Sequence, residues 1–345
     1  MKEIDYRKNG FDILRYWAAF SVMFLHFTGW ALQSINSGFA VNLIVRRIVC
    51  FFPGVVVFFT ISGFLVSGSY ERSGSRAVFY KKRVLRLYPE LWLCTIINLI
   101  VVCFLAYDIL DISIVKWVFT QILGIANTPS CLRNFATGSI NGALWTIFVN
   151  VQLYIVLGIL YPWLKKRRKS EWISIIICVA AINIGCSLLQ TYANGVFNKI
   201  LERTFLPYGI WFIIGVFCYI YRRDVLDKLQ RYTIPLLLLY GVIIFSGIQF
   251  PGYYCNFLIT IILPWIVIGG GYLLPKIRIE LDLTYGMFLY HWIILNIIIY
   301  FNIFEKMPII VIGLLYLGVT LTLAYFSRKS VGYLINLLKR SEKKE

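Results

Sequence analysis

The chain has 345 residues, of which 59% are hydrophobic, 17% aromatic and only 14% charged, and its mean hydropathy is +0.76. A soluble domain of this size needs about a quarter of its residues charged to cover its surface, so soluble enzymes and disordered proteins are excluded and the chain belongs in a membrane. The net charge of +18 lies in short clusters beside apolar runs and forms no stripe or groove-reading motif, which points to juxtamembrane anchoring and not to nucleic acid.

Runs of roughly 17 to 25 apolar residues can cross about 30 Å of hydrocarbon. Ten occur, near 11–31, 53–70, 88–107, 143–164, 172–191, 205–221, 233–250, 256–274, 284–303 and 308–327. The stretch 114–125 is too short to cross and follows Asp108, Asp111 and Ser113, so it reads as an interfacial or re-entrant piece. Taking the N-terminus and every second loop as one side places 26 Lys and Arg there and 7 on the other, with Arg15 inside the first span. The positive-inside rule then predicts both termini in the cytoplasm. The first span carries Asp12 and Arg15 and lacks a convincing cleavage signal, so it is expected to stay in the mature chain. The expected fold is an all-α integral membrane protein: a single domain over 1–345, a bundle of ten transmembrane helices, with a basic cytoplasmic tail at 328–345. Eight cysteines, Cys50, Cys94, Cys103, Cys131, Cys178, Cys186, Cys218 and Cys255, have no metal-ligand or CxxC spacing and read as small hydrophobes, so no metal is expected.

Ionisable groups inside a span are costly and mark function until explained otherwise. In the first span Arg15 and His26 are eleven residues apart, close to three whole turns, so they face one way about 16 Å apart, with Asp12 one turn before Arg15. Asp12 and Arg15 read either as snorkelling anchors or as part of a polar stripe. His26, one of two histidines in the chain, stands deep in the span where a neutral imidazole can take or deliver a proton.

At the mouth of the third span, Arg83 and Arg86 are one turn apart with Glu90 a further turn on, and Pro89 suits the first turn of that helix. They form either an ordinary positive-inside cluster or a two-pronged phosphate site. The fourth span places Trp145, Asn150, Gln152 and Tyr154 in its outer half. Depth arithmetic puts Asn150 near the level of His26, about 20 Å above the inner face, so that the two can share one cavity, and His291 only about 10 Å above it. His291 therefore reads as a channel or support residue near Arg15 and Glu90, not as His26's partner. No nucleophile elbow, Walker loop or HExxH occurs.

These residues resemble the acyltransferase 3 family of integral membrane acyltransferases. The resemblance rests on Asp12, Arg15 and His26; on Phe58, Phe59, Ser62, Gly63 and Phe64; on Arg83, Arg86, Tyr88 and Pro89; on Leu144, Trp145 and Thr146; and on Tyr285, Gly286, Leu289 and His291. Five motifs in order span nearly the whole chain. Many relatives have Glu where this chain has Asn150, which can only hydrogen-bond; Gln152 and Glu90 compensate, or activity is reduced.

The resemblance implies an O-acyltransferase, most simply an O-acetyltransferase, that takes an acyl group from cytoplasmic acyl-CoA and passes it to a hydroxyl of a capsular, exopolysaccharide or lipid-linked sugar. Arg83 and Arg86 would hold CoA phosphates, Arg15 would guide the thioester, and His26 would act as base or transient acyl carrier. Ser62 would position groups in the cavity or bond back to its own helix. No bound cofactor is implied beyond acyl-CoA as co-substrate. The implied partners are the glycan, the bilayer of the cytoplasmic membrane and polysaccharide biosynthesis proteins, without nucleic acid. The chain ends 18 residues after its last span, which reads as the stand-alone form or one that needs a separate partner. Two other readings stay open, a glycan or lipid-carrier transporter and a non-catalytic relative; a transporter should show internal repeat symmetry or broken helices in matching positions, and neither is clear.

Overall fold

The computed structural model describes residues 8–34, 51–193, 195–277 and 279–341. The expectations for Cys50, for the basic residues at 2, 7, 46, 47 and 278, and for the last four residues of the tail lie outside the described residues. Thirteen α-helices and no strand are found among the described residues. In chain order they are α1 (Phe11–Ser34), α2 (Gly54–Glu71), α3 (Arg76–Leu105), α4 (Ser113–Ile122), α5 (Trp145–Leu164), α6 (Lys169–Tyr192) and α7 (Gly195–Glu202). Then follow α8 (Gly209–Ile220), α9 (Arg222–Ser246), α10 (Phe257–Leu273), α11 (Thr284–Tyr300), α12 (Ile303–Lys306) and α13 (Ile309–Ser341).

Each of the ten expected spans falls on a helix, but only six among the described residues are long and apolar enough to cross a membrane: Gly54–Glu71, Arg76–Leu105, Gly142–Leu164, Lys169–Tyr192, Arg222–Ser246 and Ile309–Leu337. A seventh arises if Gly195–Glu202 and Leu206–Ile220, bent by 54°, form one span. The remaining three have physical reasons for falling short. Helix α1 carries Asp12 and Arg15, while α10 and α11 have 17 residues each, about 25 Å of rise against about 30 Å of hydrocarbon. Large apolar side chains stand exposed at helical spacing, as with Ile173 and Ile177 on α6 and Leu238, Val242 and Phe245 on α9. Such a surface belongs against lipid, and the chain is a multi-pass membrane protein.

Two helix boundaries differ from expectation. Helix α3 begins at Arg76, so Pro89 lies well inside it, where it has no N–H to give to the preceding turn. Helix α13 runs on to Ser341, so the tail from Arg328 continues the last helix.

The chain divides into two compact units. The first contains residues 8–18, 51–82 and 149–277. Within it α2 and α8 pack backbone to backbone: a Cβ on Gly63 would stand 2.0 Å from the Phe212 carbonyl oxygen and one on Gly215 would stand 2.2 Å from that of Thr60. Small residues at such crossings are what brings apolar helices together where lipid offers no hydrophobic gain. Phe64 packs edge-on against Phe11 at 5.4 Å. The Phe-Phe-x-x-Ser-Gly-Phe signature is thus largely a packing device, with Phe59 and Phe64 both 1% exposed.

The second unit contains residues 19–34, 83–148 and 279–341. Its central element is α11, buried on nearly every side and packed against α13. A separate apolar cluster of Val102, Ala106, Trp117, Leu132, Phe135 and Ile140 seats α4 and the following loop. Asp111 accepts the Ser113 backbone N–H at 2.7 Å at the start of α4, and the Ser113 hydrogen bonds hold its exposed carboxyl below the usual range. Tyr88 and Trp92 of α3 donate to the carbonyls of Leu123 and Ile122 at the other end.

Candidate active site

In the second unit His26 of α1 and His291 of α11 are hydrogen-bonded, Nδ1 to Nε2, at 3.0 Å. The rings are 2° from parallel with centroids 5.2 Å apart, the separation of two imidazoles meeting edge to edge in one plane. His291 Nδ1 lies 3.1 Å from the Met287 carbonyl. A carbonyl only accepts, so Nδ1 of His291 carries hydrogen and, in the neutral ring, its Nε2 offers a lone pair. His26 must then donate from Nδ1, which leaves its own Nε2 as a lone pair that bonds no described residue. The buried histidine fixes the tautomer of the half-buried one. The expectation that His291 stands away from His26 is therefore wrong: the depth arithmetic takes all helices to begin in one plane and run along the membrane normal, and tilt and stagger cancel the difference.

A rigid frame surrounds the pair. Trp292 meets His26 edge to face at 4.6 Å, and its Nε1 donates to Thr137 Oγ1 at 3.0 Å and to the Ser139 carbonyl at 3.2 Å. Asn296, fully buried, accepts from the Thr137 hydroxyl at 2.7 Å and donates to the carbonyls of Ser139 and Ile140. Asn141 donates to the Leu289 carbonyl at 2.8 Å and accepts from the Ala143 N–H. Gly142 has no side chain for a reason, since a Cβ there would stand 2.4 Å from the Trp292 ring. These bonds set the loop that leads into Trp145 at the start of α5.

A charged cluster lies at the start of α11. Arg86 pairs with Asp282 at 3.1 Å, and Asp282 also accepts the Thr284 hydroxyl at 2.6 Å. Tyr285 donates to the Leu87 carbonyl at 3.0 Å. Glu90, 1% exposed, faces Arg328 of α13 at 3.8 Å. Arg83 is half-buried on the same helix as Arg86 and Glu90.

The first unit holds the other expected residues. Arg15 pairs with Asp12 at 3.5 Å. Ser62 does not bond back to its helix; its hydroxyl lies 3.2 Å from both Asn150 Oδ1 and Tyr154 OH, a neutral cluster that accepts and donates without charge. Gln152 donates to the Arg203 carbonyl at 2.7 Å and accepts the Phe205 N–H at 3.1 Å. Both ends of its amide are committed to a turn, so Gln152 does not stand in for a carboxylate at Asn150.

Sequence reasoning missed Asp282, Trp292, Asn296 and Arg328. Asn296 was the most findable, a lone amide in the apolar run that follows His291. The seven described cysteines are all free.

An all-helical membrane protein with an imidazole pair held in one tautomer has the parts of a proton-transferring transferase. The chain belongs to the acyltransferase 3 family: the family's model, described as an acyltransferase domain, matches residues 8–328, and the chain is an acyltransferase. It is 28% identical over 317 residues to nodulation protein 10 of Rhizobium leguminosarum bv. viciae, covering 85% of this chain and 84% of that protein. It is 24% identical over 254 residues to an O-acetyl transferase of Shigella phage Sf6, covering 71% of this chain and 74% of that protein. No solved structure matches.

Proposed function

We propose that the chain is an O-acyltransferase that moves an acetyl group from acyl-CoA at the cytoplasmic face of the cell membrane to a hydroxyl of a surface, exported or lipid-linked polysaccharide. The observation that carries this reading is the His26–His291 pair with its uncommitted Nε2; the O-acetyl transferase name of the phage relative supports the group transferred. In this reading α1, α10 and α11 cross with the seven longer spans, giving ten crossings and both termini in the cytoplasm.

His26 Nε2 takes the proton of the acceptor hydroxyl as its oxygen attacks the thioester carbonyl. The developing imidazolium keeps its Nδ1–H on His291 Nε2, which stabilises the charge. The carbon–sulfur bond breaks, and the CoA sulfur leaves with the proton returned from His26, so the products are an ester and a thiol. The same nitrogen would attack first if His26 carries the acyl group transiently. Arg83 and Arg86 hold phosphates of the donor.

The test is transfer of label from radiolabelled acetyl-CoA into the extracellular glycan of the host, comparing wild type with His26→Ala at matched membrane abundance. Loss of label by about a hundredfold or more is expected, the scale of a general base. Equal labelling removes His26 from the chemistry; absence of label in wild type, with glycan export lost on deletion, replaces the reading with transport.

A further inference from the structure

Arg86 and Arg328 hold more hydrogen-bond donors than their partners accept. Arg86 touches Asp282 through one nitrogen at 3.1 Å, and Arg328 touches Glu90 through one nitrogen at 3.8 Å. A guanidinium carries five N–H donors; among the described residues Arg86 hydrogen-bonds Asp282 alone and Arg328 makes no hydrogen bond. Both remain open to solvent, with side chains 41% and 30% exposed.

The two pairs are neighbours. On α3, Glu90 follows Arg86 by one helical turn, about 6 Å along the same face. Glu90 lies within electrostatic range of Arg328, Asp282 and Arg86 together. Gly286 explains how α13 comes so close: a Cβ there would stand 2.7 Å from that of Ala324 and 3.0 Å from Glu90 Oε1. Arg328 follows Ala324 by one turn and so reaches the same spot.

Glu90 is not there to satisfy Arg328 by hydrogen bonding. Both of its carboxylate oxygens are buried without a hydrogen-bond partner, and 3.8 Å is too long for one. It is a buried carboxyl at ion-pair distance from an arginine whose side chain stays 30% exposed. Two arginines thus face two carboxyl groups, one of them buried. Two guanidinium forks from different helices match the oxygens of a phosphate dianion or diphosphate, which accept from both.

We propose that Arg328 is a second arm of the acyl-donor phosphate site alongside Arg86, and that Glu90, facing Arg328, limits how tightly phosphate is bound. This rests on the acyl-CoA reading above. The experiment uses the full chain in lipid nanodiscs, with calorimetric Kd for CoA and steady-state KM and kcat for acetyl-CoA. Arg328→Gln is expected to weaken CoA and raise KM about tenfold, the size of a lost charge-assisted contact, with kcat little changed. Arg328→Lys recovers part of the loss, and Glu90→Gln tightens CoA severalfold by removing the competing charge, a gain that a merely structural role would not produce.

Unchanged CoA affinity in both Arg328 variants, or weaker binding in Glu90→Gln, overturns the proposal. If Arg328→Gln does not fold, the other two variants decide. Acetyl transfer by wild type with an unaltered KM in Arg328→Lys and Glu90→Gln defeats this inference alone. The expected pattern of CoA affinities without any transfer upholds it and defeats the reading of acyl transfer.

Discussion

In the first unit, Gln152 and Asn183 commit their amides to backbone groups of turns: Gln152 to Arg203 and Phe205, Asn183 to the Pro207 carbonyl and the Tyr253 N–H. In the second, backbone partners are also common, but a chain of polar side chains bond to one another as well, His26 to His291, Trp292 to Thr137, Thr137 to Asn296 and Tyr290 to Ser327. The first pattern satisfies irregular backbone at membrane depth, which lipid cannot do. The second leaves selected atoms uncommitted, such as Nε2 of His26. The difference separates shape from chemistry: a polar side chain with every hydrogen-bonding atom committed serves the fold, and one left with a free atom, as His26 is, can serve reaction.

Four variants break or sharpen that separation. Gly63→Val should have the largest effect, because its first carbon already overlaps the Phe212 carbonyl; about 3 kcal/mol or more of stability should be lost, read as membrane abundance and thermal melting in detergent. His291→Ala should lower kcat per folded molecule about a hundredfold, the upper scale for losing a group that orients a histidine, in addition to the stability lost with a fully buried ring. Full activity in that variant would show that His26 needs no partner. Gln152→Ala should do the reverse, costing about 2 kcal/mol by orphaning backbone groups of Arg203 and Phe205, with transfer per folded molecule unchanged.

The smallest effect belongs to Asp111. Because its carboxyl is held low in the folded chain by Ser113, its contribution is present at neutral pH and is lost as pH falls through that lowered value. Asp111→Asn should therefore lower the neutral plateau of a melting-temperature profile slightly and meet the wild-type curve at acid pH, so that the acid limb is flatter.

Hydropathy alone locates all the helices that correspond to the ten apolar runs, since each buries or exposes a continuous apolar surface. Their ends are less legible: the basic residues from Arg76 to Arg86 read as a loop, yet the backbone there is already helical and carries Pro89 in its interior. His26 stands out because a lone imidazole in an apolar run is costly. Its bond to His291 is invisible in sequence, where 265 residues separate them and helix stagger is unknown. Arg328 escapes notice for the opposite reason, since at a helix end among other basic residues nothing distinguishes it until Glu90 and Gly286 are placed beside it.

The histidine pair also bears on covalent labelling. The chain contains two histidines, and an electrophile such as diethyl pyrocarbonate needs a ring nitrogen with a free lone pair. His291 is fully buried with both nitrogens occupied, so of the two histidines only His26 should be carbethoxylated in the intact protein, and both only after unfolding. Peptide-resolved mass spectrometry of the two histidines thereby reports whether the imidazole couple is assembled in any given preparation, without reference to an acceptor sugar.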